Sequence, residues 1–202
     1  MSVFEKLYKE LKKKYGCPKG QWVLWCKRPK TGREREEVAI GTILTQRTNW
    51  KNAESALDNL KREKISLKDI YRPGKKRIAF FIKPSGFYRA KAGYLSNLAE
   101  FIFGNYGGLE KLKKANLEEL RGQLLGLKGV GPETADSILL YALDKPVFVI
   151  DEYTRRLVKK RGLSDNLSYP FLQKLFEKNL RKDFRLYQDF HALIVIDGKN
   201  KK

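Results

Sequence analysis

The sequence predicts an all-helical fold, and three observations predict it. Apolar residues recur three and four apart over much of the chain, sustained two-residue alternation is nearly absent, and Gly, Pro and short polar clusters interrupt the pattern at close intervals. Helical stretches show at Val3-Phe4-Leu7-Leu11, from Val38 to Leu44, from Tyr94 to Phe103 and from Ile138 to Leu143. Breaks fall at Gly16 to Gly20, Arg28 to Gly32, Arg72-Pro73-Gly74, Lys83 to Gly86, Gly107-Gly108, Lys128 to Pro132 and Lys145-Pro146. They divide the chain into about ten short helices with tight, polar connections. The apolar run Val147 to Ile150 is short and isolated, and reads as an extended connector that delivers Asp151 to the next helix.

With 202 residues and 42% apolar content, the chain can bury the core of one large domain or two small ones. Forty-three Lys and Arg against 23 Asp and Glu give a formal charge of +20. An imbalance of this size favours a polyanionic partner such as nucleic acid; a lysine-rich solvated surface of the thermophile kind is the other reading. No apolar run approaches the roughly 18 residues of a membrane span. The opening MSVFEKLYKELKKKYG reads as an amphipathic helix rather than a signal peptide, so a cytoplasmic protein is expected. Cys17 and Cys26 are too few for a four-cysteine zinc or iron–sulfur site, and the single His191 gives no histidine cluster. No cofactor is therefore expected.

From Asn116 to Leu143 the pattern is a polar-capped helix, the turn Leu127-Lys128-Gly129-Val130-Gly131, and a second helix with Pro132 in its first turn. The two glycines permit backbone conformations that a Cβ would forbid. Such a turn can aim successive N–H groups at an anion in front of a helix, a geometry that suits one DNA phosphate, although most Gly-x-Gly turns are simply tight turns. Beyond it, Asp151 is a good N-cap and Glu152 adds a carboxylate to the first turn. Taken alone, Asp151 is a capping residue.

The run LKGVGPETADSILLYALDKPVFVIDEYTRRL resembles the signature of the endonuclease III-like superfamily of base-excision DNA glycosylases: hairpin, apolar helix, Pro-led extended segment, and an aspartate 18 positions after Glu133. IGTILTQRTNW and SGFYRAKAGYL upstream and FHALIVIDGK downstream extend the resemblance over the whole chain. It implies two helical domains with a DNA cleft between them: residues 34–145, carrying the helix-hairpin-helix at about 116–143, and residues 1–33 plus 146–202, carrying Asp151 as the catalytic carboxylate. Double-stranded DNA with a damaged base is then the partner of a monomer associated with the nucleoid. By position, Gln46 fills the gap left by the flipped nucleotide and Phe87 wedges the opposite strand; an exposed helix terminus and core packing are their plainer readings. Arg47, Lys128, Gly129, Gly131 and Thr134 complete the implied DNA-binding set. The carbonyls of Leu125, Leu127 and Val130 could hold a monovalent cation bridging to phosphate.

The chain departs from the superfamily in two places. Members that also cut the strand carry a lysine where this sequence has Glu133, and a carboxylate cannot form their Schiff base. A pure glycosylase is expected. The iron–sulfur loop after a segment like LIVIDGK is also missing here. Among branches without it, the strongest resemblance is to the 3-methyladenine DNA glycosylase III group, through Trp22 and Trp25, LTQRTNW with Trp50, and PSGFYRAKA. An insertion-like KRPKTGRER sets this chain apart from that group. The three tryptophans, Glu133 and Lys199 would line or flank the base pocket, where an electron-rich indole attracts a cationic alkylpurine; core packing and a solvated lysine tail are the alternatives. Two other functions remain open: excision of uracil or thymine opposite guanine, and non-catalytic DNA binding through the hairpin.

Overall fold

The computed structural model describes residues 1–72 and 78–200, so the break expected at Pro73-Gly74 lies outside the described residues. In chain order the helices are α1 (Val3–Tyr15), α2 (Trp22–Trp25), α3 (Gly32–Leu44), α4 (Trp50–Arg62), α5 (Leu67–Tyr71), α6 (Ile78–Phe81), α7 (Tyr88–Glu100), α8 (Leu109–Leu112), α9 (Leu117–Leu125), α10 (Pro132–Ser137), α11 (Glu152–Lys160), α12 (Tyr169–Asn179) and α13 (Phe184–Lys199). A 3-10 turn, Lys83–Ser85, precedes α7, and π turns at Phe101–Asn105 and Ile138–Ala142 follow α7 and α10. Among the described residues there is no strand.

The chain forms two compact units, Met1–Arg28 with Asp144–Lys202, and Pro29–Leu143. The first crossing lies a few residues before the 33/34 boundary that the sequence suggests. Just beyond it, Thr31 Oγ1 accepts from the Glu34 N–H while the Glu34 carboxylate accepts from the Thr31 N–H, a capping box that starts α3 at Gly32. The insertion-like KRPKTGRER thus contains a helix start.

In the first unit, α1 presents Phe4, Leu7 and Leu11 as a buried stripe. Its polar side is tied to α13, with Lys12 on Asp189 and with Lys14 and the Tyr15 hydroxyl on Asp197, and Arg28, beyond α2, also pairs with Asp189. The connector at Val147–Ile150 has no partner strand and is fully enclosed. Side chains of α12 satisfy its backbone instead: Glu177 accepts from the Phe148 N–H at 2.8 Å and Gln173 donates to the Phe148 carbonyl at 2.8 Å. The Phe148 ring stacks on Phe176 at 4.3 Å between centroids.

The second unit is organised around α3, which is buried without interruption from Val38 to Leu44, as expected of a helix covered on all sides. It packs on α4, α7 and the Ile138–Ala142 turn. The two helices of the hairpin are clamped by a bidentate pair, Arg121 Nε to Asp136 Oδ1 at 2.7 Å and Nη2 to Oδ2 at 2.9 Å. Asp136 is fully buried and the Arg121 side chain is 29% exposed. Removing one partner of a buried pair typically costs about 3–5 kcal/mol, and the partial exposure of Arg121 places Arg121→Met near the lower end. Urea unfolding of that variant should show this loss; a change below about 1 kcal/mol, the range of a surface pair, would contradict the clamp.

Candidate active site

Asp151 caps α11 with extended backbone geometry (φ −108°, ψ −175°), so the capping reading of the sequence is correct as far as it goes. Its Oδ1 accepts from the Thr154 N–H at 2.7 Å and from the Thr154 hydroxyl at 2.9 Å. Its Oδ2 faces Nε2 of His191 on α13 at 3.5 Å, an ion-pair distance rather than a well-formed hydrogen bond. The carboxylate side chain is only 13% exposed and that of His191 6%. Burial alone would push the Asp151 carboxyl up, but His191 and the two Thr154 donors outweigh it and hold the group below its ordinary value. The result is a nearly enclosed carboxylate that stays ionised, with one oxygen fixed and the other less committed.

Around it, Trp22 lies edge-on to His191 at 5.8 Å and edge-on to Trp25 at 5.6 Å. Both indoles are 5% exposed, which leaves little ring face for a base in this arrangement. Lys199, the last residue of α13, donates to Gln21 at 3.4 Å. Partial desolvation lowers its pKa, and attraction to Asp151 opposes that shift, which places the ammonium in the carboxylate's field. The first unit therefore assembles Asp151, Thr154, His191, Trp22, Trp25 and Lys199.

The second unit holds the remaining candidates. Gly129 has φ +91°, and a Cβ there would sit 2.2 Å from the Tyr94 ring. Gly131 differs from the expectation: with φ −88° and open space around a Cβ, it tolerates a side chain sterically. Only the first glycine is conformationally required. Gly131 is the N-cap of α10 and has no side chain with which to cap it. The Val130 N–H donates to the Leu127 carbonyl at 3.0 Å, which closes the turn. Lys128 and Glu133 are exposed. Thr134 is buried, and its hydroxyl accepts from Gln46 Nε2 at 3.1 Å, while the same amide donates to the Gly129 carbonyl at 2.9 Å. Gln46 is thus fastened to the hairpin in this state. Trp50 is half-buried at the start of α4. Arg47 (φ 50°) and Phe87 (φ 46°) are left-handed non-glycine residues, and Phe87 is 66% exposed rather than packed in a core.

Thr154 and His191 are neighbours of Asp151 that sequence reasoning missed. A hydroxyl three residues after an aspartate cap is a readable signal for the first. Nothing linear marks the second, forty residues downstream.

The glycine turn between the clamped helices α9 and α10 is a helix-hairpin-helix arrangement. The pattern of HhH-GPD superfamily base excision DNA repair proteins matches residues 40–182, and the chain belongs to that superfamily, as a DNA glycosylase. A Methanocaldococcus jannaschii protein provisionally named as the DNA repair glycosylase MJ1434 is 46% identical over 165 residues, covering 80% of this chain and 75% of that relative. The thymine/uracil-DNA glycosylase of Methanothermobacter thermautotrophicus is 27% identical over 173 residues, covering 81% and 75%. The crystal structure of H. pylori 3-methyladenine DNA glycosylase (MagIII) bound to 1,N6-ethenoadenine superimposes with a TM-score of 0.82 and 30% identity, covering 100% of this chain and 99% of that one. No helix among the described residues is long and apolar enough to cross a membrane. Cys17 is exposed and Cys26 buried.

The surroundings of Asp151 predict the pH dependence of base release. His191, beside the carboxylate, lowers the Asp151 pKa. In His191→Ala that lowering is lost, the carboxyl protonates at higher pH, and the acid limb of single-turnover base release should move toward neutrality. An unmoved limb would show that His191 does not set the charge of Asp151.

Proposed function

We propose that this chain is a monofunctional glycosylase that hydrolyses the N-glycosidic bond of alkylated purines such as 3-methyladenine in double-stranded DNA, leaving an abasic site. The observation that carries this reading is the end-to-end match, at 30% identity, to a 3-methyladenine glycosylase of nearly the same length. The chemistry of the Asp151 site supports it. Departure of the base leaves an oxocarbenium-like sugar, which a carboxylate kept ionised in a water-poor setting stabilises strongly. With Oδ1 held by Thr154, Oδ2, which meets only the longer contact to His191, is the oxygen proposed to face the anomeric carbon or to take a proton from the attacking water. An alkylated purine already carries positive charge, so it leaves with the bond's electron pair without a general acid on the base.

Glu133, exposed in the first turn of α10, supports release without strand cleavage, because it offers no amine to attack the sugar. DNA is engaged through phosphates by the glycine turn before α10 and by exposed basic residues such as Lys128 and Arg47. Trp50 is the indole with exposed surface for a cationic ring, a contact worth about 0.5–2 kcal/mol. The likeness to a thymine/uracil-DNA glycosylase favours a second substrate, uracil or thymine opposite guanine. One experiment separates the readings: single-turnover release from duplexes carrying 3-methyladenine, ethenoadenine, U·G or T·G, each run with and without borohydride. Alkylpurine release without a trapped protein–DNA adduct is expected, with strand breaks only after alkali. Release confined to U·G and T·G would replace the substrate, and a trapped adduct would overturn the monofunctional assignment.

A further inference from the structure

Lys91 lies in the first turn of α7 and is 1% exposed. Its Nζ donates to the Leu44 carbonyl at 2.8 Å and to the Ser85 carbonyl at 2.7 Å. Leu44 is the last residue of α3 and stands two residues before Gln46; Ser85 ends the 3-10 turn and stands two residues before Phe87. One ammonium therefore joins the two segments that carry the candidate inserting side chains. Each segment also contains a left-handed non-glycine residue, Arg47 or Phe87, a conformation that persists only where the surroundings impose it. Both acceptors are helix-end carbonyls, which lack an intrahelical partner and attract a cation. Burial draws the Lys91 pKa down to about 8, so the site bears a real desolvation cost. An apolar side chain would fill the space without that cost, but it could not hold two carbonyls at a fixed separation.

We propose that Lys91 is a positioning residue for base flipping: by bridging the Leu44 and Ser85 carbonyls it sets the spacing between the Gln46 and Phe87 segments, so that both side chains enter the duplex together. This rests on the reading of Gln46 and Phe87 as the inserting pair. Lys91 itself touches no DNA in this account, so its loss should impair insertion and spare the phosphate contacts.

The test uses a duplex with 2-aminopurine opposite a tetrahydrofuran abasic-site analogue, where insertion unstacks the orphan base and raises its fluorescence without any chemistry. Stopped-flow traces are compared for the wild-type chain, Lys91→Met and the double variant Gln46→Ala/Phe87→Ala, alongside affinity for undamaged duplex. The insertion rate of Lys91→Met should fall by on the order of ten- to a hundredfold, the scale of an ångström-level misplacement, with undamaged-duplex affinity retained. Lys91→Arg, which keeps a cationic donor, should recover part of the rate. Should Lys91→Met not fold, Lys91→Gln, a neutral donor too short to reach both carbonyls, takes its place with the same expectation. Wild-type insertion by the Lys91 variant, or a parallel loss of insertion and affinity, would overturn the positioning role while leaving the inserting pair intact. An unaltered signal from the double variant would instead remove the inserting pair, and this proposal with it.

Discussion

A carboxylate that must carry charge where water is scarce needs partners that cannot drift away, and the first unit is arranged around that need. Asp151 obtains them by serving as the cap of α11. The Thr154 N–H that would otherwise be an orphan of the helix end, together with the Thr154 hydroxyl, fixes one oxygen. His191 stands against the other. In the proposed mechanism capping and catalysis are compatible, because they use different oxygens of one group. The support behind it is equally rigid: Phe148, Val149 and Ile150 are wholly buried, and α12 holds the connector's backbone through Glu177 and Gln173. A reacting group placed at the end of such a segment keeps its geometry.

The second unit meets a different constraint, the unpaired carbonyls at helix ends. Arg35 is buried in α3 and donates to the Ala142 carbonyl at 2.6 Å, and Lys91 serves Leu44 and Ser85; in the hairpin turn the Gln46 amide likewise serves the Gly129 carbonyl. Among the described residues Lys30, Arg35 and Lys91 are buried, and most of the other basic side chains face solvent. The same residue type thus does two jobs. Inside, a few cations join helix ends that would otherwise splay; outside, the excess of positive charge supplies the field that attracts a polyanion.

The helices were legible in the sequence because their signals are local. Ser2, Thr31, Asn49, Ser66 and Asn116 each cap a helix by accepting an N–H within three residues, and α3 and the hairpin helices carry an apolar pattern that needs no distant partner to be read. As a cap Asp151 was legible from its residue type; as a candidate catalytic carboxylate it was legible only through the resemblance, which places an aspartate at that distance from the hairpin. His191, Lys91 and the Arg121–Asp136 clamp were not, since whether a charged side chain is buried depends on elements far away in the chain. The two hairpin glycines look equivalent in sequence, yet only the Tyr94 ring, seen in three dimensions, shows that Gly129 is required and Gly131 is not. Likewise, Trp22 and Trp25 read equally well as a stacking pair or a core, and their 5% exposure puts them in the interior of this state.

The central claim is that Asp151 acts through its charge and not only as a cap. Asparagine caps a helix about as well as aspartate, so Asp151→Asn should cost no more than about 1 kcal/mol in stability. Loss of a preorganised charge opposite the sugar cation should slow base release by on the order of a hundredfold or more. The decisive measurement is single-turnover release of 3-methyladenine by Asp151→Asn, with melting temperature and DNA affinity taken on the same preparation. The account predicts near-normal folding and binding with release reduced to that extent; near-normal release by the folded, DNA-bound variant would contradict it.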